Sequence, residues 1–317
     1  MKIIGTGRAH PSQVVTNAML EQFLDTSDEW IKTRTGMSER RVISSEKLED
    51  LASEAAAKAI EDAGLTAADI DYIICSNVVN EYITPGLSCI IQGAIGAKCA
   101  CVDVNAACSG FIYALDMADD RIKSGKAKNI LVVAAEEPTR MVDWKDRSLC
   151  VLFGDGAGAV VVTEGEGLIC SRLTTVSKTD CLHYVRRLEP TPYITKEEHS
   201  APMYMNGKEV FKTAVLSSSR DIKTLLSEAG LQPSDIKYYV LHQANMRIIE
   251  AIANWLKLDM SHFPTNVERC GNTSSASTAL LLDELSREGK LQKGDKILLS
   301  AFGAGFTTGA CIIEWTK

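Results

Sequence analysis

The chain lacks the long apolar runs, the export signal and the excess of basic residues that mark membrane, secreted and nucleic-acid-binding proteins. Its 317 residues include 41 acidic and 34 basic side chains, a formal net charge of -7, which argues against a general nucleic-acid binder. No apolar run approaches the roughly 20 residues that cross a bilayer. Residues 1–7 are too short and too glycine-broken for a signal peptide. We therefore expect a cytoplasmic protein that binds neither nucleic acid nor membrane.

The residue spacings that hold metal ions are also missing. The chain has ten cysteines and five histidines, but no C-x-x-C pair and no histidine at ligand spacing, so we expect no zinc site. Several cysteines (Cys75, Cys89, Cys101 and Cys311) lie in apolar runs typical of a protein core. Because nothing indicates export to an oxidising compartment, we predict reduced thiols.

Short apolar runs rich in β-branched residues alternate with amphipathic helical patterns along the chain. Strands are predicted at residues 2–7, 72–78, 99–104, 130–136, 159–163, 238–242, 296–301 and 310–315. Helices are predicted at residues 16–24, 48–63, 214–229, 245–257 and 275–288, and helical spacing also follows residue 108. Strands that are apolar on both faces, with helices between them, predict an α/β fold with a parallel sheet covered by helices.

Two stretches of the chain resemble each other in register. Residues 61–74 (EDAGLTAADIDYII) and 227–240 (SEAGLQPSDIKYYV) share Ala-Gly-Leu, Asp-Ile and Tyr, and the elements that follow recur in the same order. We therefore predict two copies of one helix-and-strand unit, in residues 1–165 and 166–317. Residues 176–204 carry three prolines and no clear periodicity, which indicates an inserted loop or lid.

Cys108 lies where an apolar run gives way to a helical pattern, at a predicted strand-to-helix turn. The free N–H groups at the start of a helix carry partial positive charge, which predicts a lowered thiol pKa and a better nucleophile. Small neighbouring residues leave room for a substrate. The alternative is a buried, inert cysteine, the commonest fate of a free cysteine.

Two further polar residues are predicted to approach Cys108 from the second half. His242 closes the predicted strand 238–242, and strand ends facing helix starts are where open α/β sheets place ligands. Asn272 precedes the helix that the repeat pairs with the Cys108 helix, although an N-cap role would also explain it. A thiol, an imidazole and an amide would then converge. The glycine-rich residues 302–306 suit close backbone approach and could add N–H donors.

Together these segments resemble the 3-oxoacyl-[acyl-carrier-protein] synthase III family of the thiolase fold. The matching segments, in the family's order, are residues 25–30 (DTSDEW), 34–36 (RTG), 106–111 (AACSGF), 153–158 (FGDGAG), 242–247 (HQANMR), 271–274 (GNTS) and 302–306 (FGAGF). The resemblance implies a layered α-β-α-β-α sandwich and a decarboxylating Claisen condensation that initiates fatty acid synthesis. An acyl-CoA would acylate Cys108. Malonyl-acyl-carrier protein would then lose carbon dioxide, and its carbanion would attack the acyl group.

The resemblance also implies a role for each matching residue and no metal or redox cofactor. His242 and Asn272 would hydrogen-bond the malonyl thioester oxygen, and the N–H groups of Cys108 and Ala304 would serve the other carbonyl. Trp30 and Arg147 would hold the adenine of CoA between them, and Thr26 and Arg34 would bind CoA at the entrance. The carrier protein would meet Lys212, Gln243, Ala244, Asn245, Met246 and Arg247.

The acyl pocket implied by the resemblance differs from that of acetyl-selective relatives. Thr84 stands where those relatives carry an aromatic residue. In the family this loop crosses the interface of a homodimer and closes the partner's acyl pocket. We therefore expect a longer pocket that accepts branched or medium-length acyl starters.

Three alternatives stay open from the sequence. A related thiolase-fold acyltransferase of secondary metabolism would use another acceptor, and the poor family match of residues 176–204 keeps this alternative open. A cysteine hydrolase would also use Cys, His and Asn, although the duplicated α/β pattern argues against that class. A non-catalytic partner subunit would have no need to keep Cys108, His242 and Asn272 together.

Overall fold

The computed structural model describes residues 1–185 and 202–317. The strands are β1 (Lys2–Ala9), β2 (Gln13–Thr16), β3 (Glu39–Val42), β4 (Tyr72–Ser76), β5 (Ala100–Val104), β6 (Ile130–Glu136), β7 (Gly156–Thr163), β8 (Leu168–Thr175), β9 (Leu182–His183), β10 (Tyr204–Met205), β11 (Tyr238–Leu241), β12 (Lys296–Gly303) and β13 (Thr307–Glu314). The α-helices are α1 (Asn17–Leu20), α2 (Asp28–Thr35), α3 (Leu48–Asp62), α4 (Leu87–Ile95), α5 (Gly110–Lys123), α6 (Gly207–Glu228), α7 (Met246–Leu256), α8 (Val267–Cys270) and α9 (Ala276–Arg287). Within the described ranges, no helix has the length and apolar character required to cross a bilayer.

Most predicted elements are confirmed with shifts of a few residues at their ends. The predicted strand 130–136 coincides with β6, whereas the predicted helix 214–229 begins earlier, as α6. Strand β8 was missed because most of its residues are only half-buried and several are polar, which weakens the apolar signal. The predicted inserted loop 176–204 contains β9 and ends within its antiparallel partner β10, while its residues 186–201 lie outside the described residues.

The strands form two main sheets of mixed direction. The first has the order β1-β7-β6-β4-β5 and the second the order β11-β12-β13-β8. Strands β6, β4 and β5 run parallel, but β7 runs antiparallel to both of its neighbours. The prediction of a parallel sheet is therefore confirmed for β6, β4 and β5 and wrong for β7. Strand β7 is buried along its whole length, and burial on both faces produces the same apolar run whichever way a strand points.

The sheets and helices alternate in five layers, as the resemblance implied. Helices α3 and α4 cover the outer face of the first sheet, and α6 and α7 cover the outer face of the second. Helices α5 and α9 lie between the sheets, and their apolar side chains share one core with both inner faces. The predicted boundary at residue 165 falls between β7 and β8, which belong to different sheets; it stays a prediction.

The two repeated stretches adopt the same local structure. Helices α3 and α6 are each followed by a glycine, Gly64 or Gly230, with a φ of +67°, the left-handed conformation that favours glycine. Each stretch then makes a short 3-10 turn and enters a strand. In both turns an aspartate carboxylate accepts from the backbone N–H three residues earlier, at 2.8 Å in the first copy and 2.7 Å in the second.

The contact between β1 and α3 generates a prediction about stability. A Cβ at Gly7 would lie 2.2 Å from Ala55 O and 2.5 Å from Ala59 N. Gly7→Ala should therefore force the strand and helix apart and lower the free energy of unfolding by about 1–3 kcal/mol, measured by guanidinium denaturation. The control is Gly93→Ala in α4, where a Cβ would meet nothing within 4 Å and alanine should stabilise by about 0.5–1 kcal/mol. A Gly7→Ala protein as stable as wild type would contradict this packing.

Candidate active site

A cavity of about 780 Å³ opens at the carboxyl ends of strands from both sheets. Its lining includes Cys108 after β5, His242 after β11, Ala304 after β12, and Asn272 shortly before α9. Carboxyl ends of parallel strands are the usual place for ligands in α/β folds. The structure thus brings Cys108 into one site with His242 and Asn272, which lie more than a hundred positions further along the chain.

The turn that carries Cys108 is tightly held. Ala107 has a φ of +47°, a left-handed conformation that is uncommon for a residue with a side chain and is found at functional sites. The N–H groups of Ser109 and Gly110 donate to the carbonyls of Ala106 and Ala107, at 3.2 Å and 2.9 Å. This turn projects the thiol into the cavity at the entrance to α5.

The end of β12 packs against the turn that carries Cys108, which we call the nucleophile turn. A Cβ at Gly303 would lie only 2.6 Å from the backbone N of Cys108, so glycine is required for this contact. Thr307 Oγ1 donates to Ala106 O at 2.9 Å and accepts from Ser109 Oγ at 2.8 Å. These bonds fix the loop containing Ala304 beside the nucleophile.

The pKa of the nucleophilic thiol moves in the direction opposite to the sequence-based expectation. Burial raises the pKa of the Cys108 thiol to about 12, and the nearby carboxylate of Glu136 adds to the increase. The polar Ser274 hydroxyl, whose Oγ lies 3.4 Å from Cys108 Sγ, opposes this increase. The prediction counted the field at the start of α5 but not the loss of solvent in the cavity. The thiol therefore needs a proton acceptor when it reacts.

His242 is a neutral hydrogen-bond donor in this site. Its Nδ1 lies 2.7 Å from Ser277 Oγ, which also accepts from the N–H of Gln243 at 3.3 Å. We assign the Ser277 hydroxyl as the donor to Nδ1, because among the described residues its hydrogen has no other acceptor within hydrogen-bond distance. The imidazole proton then resides on Nε2. Burial lowers the pKa of His242 to about 3, so the ring is neutral at physiological pH.

Asn272 presents a second donor to the cavity. Its Oδ1 accepts from the N–H of Ser274 at 2.9 Å, which leaves the Nδ2 hydrogens free to donate. Its backbone N–H donates to Leu152 O at 2.8 Å, and its carbonyl accepts from Gly154 N–H at 3.1 Å. A segment of the first half therefore positions a side chain of the second. Two neutral N–H donors and a thiol facing one cavity suit stabilisation of an oxyanion.

Four residues that support the site were not singled out from the sequence: Glu136, Ser274, Ser277 and Thr307. A charged residue at the carboxyl end of the apolar run 130–136 was a usable signal for the first. Ser274 lay within the quoted segment 271–274. Ser277 and Thr307 carried no local signal, because their roles depend on partners 35 and about 200 positions away.

The four residues predicted to bind CoA lie on or beside α2. Ser27 rather than Thr26 caps this helix, accepting from Trp30 N–H at 3.1 Å. Thr26 Oγ1 is buried without a hydrogen-bond partner in the described part of the chain. The guanidinium carbons of Arg34 and Arg147 lie 4.9 Å and 5.1 Å from the Trp30 ring centre.

An aromatic base between Trp30 and Arg147 requires these side chains to separate. A plane in contact with both needs about 7 Å between them, two van der Waals distances, whereas the observed distance is 5.1 Å. Arg147 is held in place by the backbone carbonyl and the carboxylate of Asp25. Both side chains of this ion pair are well exposed, so the pair is weak and can open.

The residues predicted to meet a carrier protein do not all reach the surface. Gln243 is wholly buried; its Nε2 donates to Leu241 O at 2.7 Å, and its Oε1 accepts from the N–H groups of Asn266 and Val267. The prediction that the Gln243 side chain contacts a carrier protein is therefore wrong. It holds the β11–α7 turn, because buried backbone groups there need partners.

The other five residues of that set lie at or near the cavity mouth. Lys212 on α6 and Arg247 on α7 are exposed. Ala244 and Asn245 line the cavity. Met246 packs against Gly36, the residue that follows α2, since a Cβ added at Gly36 would lie 2.5 Å from the Cβ of Met246.

The loop that contains Thr84 stands at another side of the mouth. Tyr82 and Ile83 line the cavity, yet 47% and 73% of these residues are exposed. Thr84 is exposed and lies outside the cavity lining formed by residues 1–185 and 202–317. Within a single chain it does not shape the pocket.

Two family models match the sequence. The model described as 3-oxoacyl-[acyl-carrier-protein (ACP)] synthase III matches residues 102–180, and its C-terminal counterpart matches residues 226–315. A relative from Clostridium acetobutylicum, named beta-ketoacyl-[acyl-carrier-protein] synthase III, is 44% identical over 100% of this chain and 99% of its own length. A relative of the same name from Aquifex aeolicus is 43% identical over 99% of each chain.

Solved structures resemble the chain over its full length. The crystal structure of 3-oxoacyl-[acyl-carrier-protein] synthase III from Aquifex aeolicus VF5 has a TM-score of 0.93, with 42% identity and 99% of each chain covered. The priming beta-ketosynthase of the R1128 polyketide biosynthetic pathway has a TM-score of 0.94, with 35% identity over 100% of this chain and 96% of its own.

The assigned state of His242 can be tested by 15N NMR of histidine-labelled protein. The His242 ring signals are identified because they are absent from the spectrum of His242→Gln. We expect this ring to carry a proton on Nε2 and none on Nδ1 throughout the pH range from 7 to about 4, because burial lowers the pKa of His242 to about 3. An unfolded chain takes up this proton near pH 6.5. Stability should therefore decline as the pH falls from about 6.5 towards 3.

Serine variants provide the control for the tautomer. Ser277→Ala removes the donor to Nδ1 and should mix the two neutral tautomers. Ser219→Ala removes a buried hydroxyl with no partner in the described residues and should leave the His242 signals unchanged. A ring protonated at Nδ1 in the wild-type protein, or charged near pH 6, would contradict the assignment.

Proposed function

The chain belongs to the 3-oxoacyl-[acyl-carrier-protein] synthase III family, and we propose that it condenses an acyl-CoA starter with malonyl-acyl-carrier protein. The products are 3-oxoacyl-carrier protein, CoA and carbon dioxide, and the reaction initiates fatty acid synthesis. As a member of this family the protein is a condensing enzyme of the acyltransferase class. The observation that supports the residue roles is the single cavity shared by the Cys108 thiol, the His242 imidazole and the Asn272 amide.

In the first half-reaction Cys108 Sγ attacks the thioester carbonyl of the acyl-CoA. The N–H groups of Cys108 and Ala304 stabilise the negative charge that forms on the carbonyl oxygen. The close fit of Gly303 against Cys108 N supports this pairing, since it holds both backbone segments together. The carbon–sulfur bond to CoA then breaks. One thioester replaces another, so the acylated enzyme forms at little thermodynamic cost.

In the second half-reaction the malonyl group loses carbon dioxide next to acylated Cys108. The electrons left by the departing carboxylate form an enolate, whose oxygen accepts hydrogen bonds from His242 Nε2–H and Asn272 Nδ2–H. A neutral imidazole suits this role, because it donates without giving its proton away. The enolate carbon attacks the acyl carbonyl, and the Cys108 thiolate leaves. These steps need only groups that the chain itself supplies.

We further propose how the two substrates reach the cavity. CoA binds at the start of α2, where its adenine separates Trp30 from Arg147 and its polar groups meet Thr26 and Arg34. The exposed cations Lys212 and Arg247 steer the acidic carrier protein to the mouth, although the net charge of the whole chain is -7. The site operates in the cytoplasm, and the acyl-CoA and malonyl thioesters are substrates rather than resident cofactors.

The starter specificity is proposed to depend on a homodimer. Tyr82 and Ile83 expose apolar surface beside Thr84, and clustered apolar exposure of this kind is typical of an interaction site. The loop would then cross to the partner chain, where Thr84 closes the acyl pocket with a small side chain. A longer pocket accepts branched or medium-length acyl groups as well as acetyl.

A priming role in secondary metabolism is the second candidate. It is supported by the likeness to the priming beta-ketosynthase of the R1128 polyketide pathway, at 35% identity. The chemistry at Cys108 would be the same, but the extender would be carried by a different acceptor. Comparing malonyl-carrier protein with malonyl-CoA as extender, at equal concentration, separates the two candidates.

Acylation of Cys108 is the first test. Wild-type protein mixed separately with acetyl-, isobutyryl- and octanoyl-CoA should gain one acyl mass, measured by intact-mass spectrometry. Cys108→Ala should gain none. Cys89→Ala, which removes an exposed thiol of α4, should gain the same mass as wild type. Reaction with acetyl-CoA alone would contradict the longer pocket, and no adduct with any starter would contradict the proposed donor class.

The two donors can be tested through the decarboxylation step alone. His242→Ala and Asn272→Ala should slow carbon dioxide release from malonyl-carrier protein by about 10²–10³-fold, because each removes one donor to the enolate oxygen. Both variants should still be acylated at Cys108. The matched control is His262→Ala, whose ring meets the carbonyls of Ile236 and Lys237 away from the cavity. Equal losses in both half-reactions would contradict the division of roles.

A further inference from the structure

A buried carboxylate lies one hydroxyl group away from the nucleophilic thiol. Ser274 Oγ is 3.4 Å from Cys108 Sγ and 3.2 Å from Glu136 Oε1. Glu136 ends β6, and only 1% of it is exposed. Sulfur, hydroxyl and carboxylate thus form a continuous chain of hydrogen-bonding groups. None of the steps proposed above uses Glu136.

We propose that Glu136 takes up the proton of Cys108 through the Ser274 hydroxyl when the thiol is acylated, and returns it when the thiolate is released. This inference rests on the proposed function, since it assigns a proton path to the same two half-reactions. Ser274 touches the reacting sulfur directly. Glu136 acts only through Ser274 and is therefore a positioning residue that also stores the proton.

The local backbone supports a specific role for Ser274. Its φ of +51° is in the left-handed region, which is strained for a residue with a side chain. This conformation places the Ser274 hydroxyl between the thiol and the carboxylate. The backbone N–H of Ser274 donates a hydrogen bond to Asn272 Oδ1 at 2.9 Å. One strained residue thereby serves both halves of the site.

The imidazole is poorly placed to accept the proton. In the assigned tautomer, Nε2 of His242 already carries a hydrogen, and Nδ1 accepts from Ser277 Oγ at 2.7 Å. Burial also lowers the pKa of His242 to about 3, so a second proton on the ring is strongly disfavoured. A separate acceptor for the Cys108 proton is therefore required.

Glu136 can both accept and release a proton near neutral pH. Its Oε2 accepts from Val78 N–H at 3.1 Å, and its Oε1 accepts from Ser275 Oγ at 2.6 Å. Burial nevertheless raises the pKa of the Glu136 carboxyl to about 7. No basic side chain forms an ion pair with it in the described part of the chain.

Few other titratable groups act on this carboxyl. The thiols of Cys75 on β4 and Cys108 on the nucleophile turn both lie within its electrostatic reach. Glu137, the next residue along, interacts instead with Asp155, Arg140 and Glu81. A change in the charge of Glu136 is therefore felt mainly by the two thiols.

The proton balance closes over one turnover. In acylation the Cys108 S–H proton passes to the Ser274 oxygen while the Ser274 hydroxyl proton passes to Glu136. The bond between Cys108 Sγ and the acyl carbon forms, and the bond from that carbon to the CoA sulfur breaks. The CoA thiolate leaves and takes a proton from water. In condensation the C–C bond forms, the Cys108 S–C bond breaks, and the Glu136 proton returns through Ser274 to the thiolate. The net uptake of one proton matches the loss of carbon dioxide from a carboxylate.

The test is the pH dependence of single-turnover acylation, followed by rapid quench and intact mass with acetyl-CoA or the best starter. The wild-type rate should rise as the pH passes through about 7, because only ionised Glu136 accepts a proton. Glu136→Gln should lower the rate about 100-fold, within the range for general acid–base catalysis, and should abolish this inflection. Circular dichroism and the unfolding midpoint check that each variant is folded.

Two neighbouring serines provide the matched comparison, which does not depend on Glu136→Gln folding. Ser274 and Ser275 both hydrogen-bond Glu136 Oε1, but in this network only Ser274 also reaches Cys108 Sγ. Ser274→Ala should slow acylation at least 10-fold, as expected when a proton relay is cut, and should lose the inflection. Ser275→Ala should keep the inflection, moved to higher pH because the carboxylate loses a donor.

The outcomes separate the relay from the proposed function. Equal acylation rates and pH profiles in wild type, Glu136→Gln and Ser274→Ala would overturn the relay and leave the acyltransferase function intact. Indistinguishable Ser274→Ala and Ser275→Ala proteins would also overturn it, since a purely structural role predicts similar effects. Failure of the wild-type protein to acquire any acyl group would instead refute the proposed function.

Discussion

The close contact between the starts of α5 and α9 is the constraint on which the rest of the site depends. Ser76 Oγ, at the end of β4, donates to Ser275 Oγ at 2.9 Å, and a Cβ at Gly110 would lie 2.1 Å from Ser76 Oγ. Only the small side chains of Ser76 and Ser275 therefore lie where the starts of the two central helices meet. That proximity places Cys108 beside Ser274, and so joins the nucleophile of one half to the hydrogen-bonding groups of the other.

Loss of solvent is the common cause of the electrostatic properties of the cavity. Burial raises the pKa values of Cys108 and Glu136 and lowers that of His242, because each group favours its neutral form where water is excluded. The protein compensates with fixed dipoles, such as the N–H of Val78 on Glu136 and the amide of Asn272. Charge that develops during the reaction then meets donors already in place, which reduces the cost of reorganisation.

The same side-chain types serve as reactive groups or as scaffold, according to what surrounds them. Asn272 and Gln243 both carry amides and both lie in segments that match the family. Asn272 keeps two hydrogens free towards the cavity, whereas Gln243 satisfies both ends of its amide within the fold. Buried polar atoms must be paired, so the number of backbone groups within reach decides which amide remains available to a substrate.

Most of the helices and strands, the repeated unit and the candidates Cys108, His242 and Asn272 could be predicted from the sequence. Periodicity, glycine positions and short motifs are local, and they are legible one segment at a time. The antiparallel course of β7, the buried role of Gln243 and the raised pKa of Cys108 could not be predicted from the sequence. Nor could the link from Cys108 through Ser274 to Glu136. Strand direction, desolvation and contacts between segments more than a hundred residues apart arise when the chain packs, because they depend on neighbours in space rather than along the sequence.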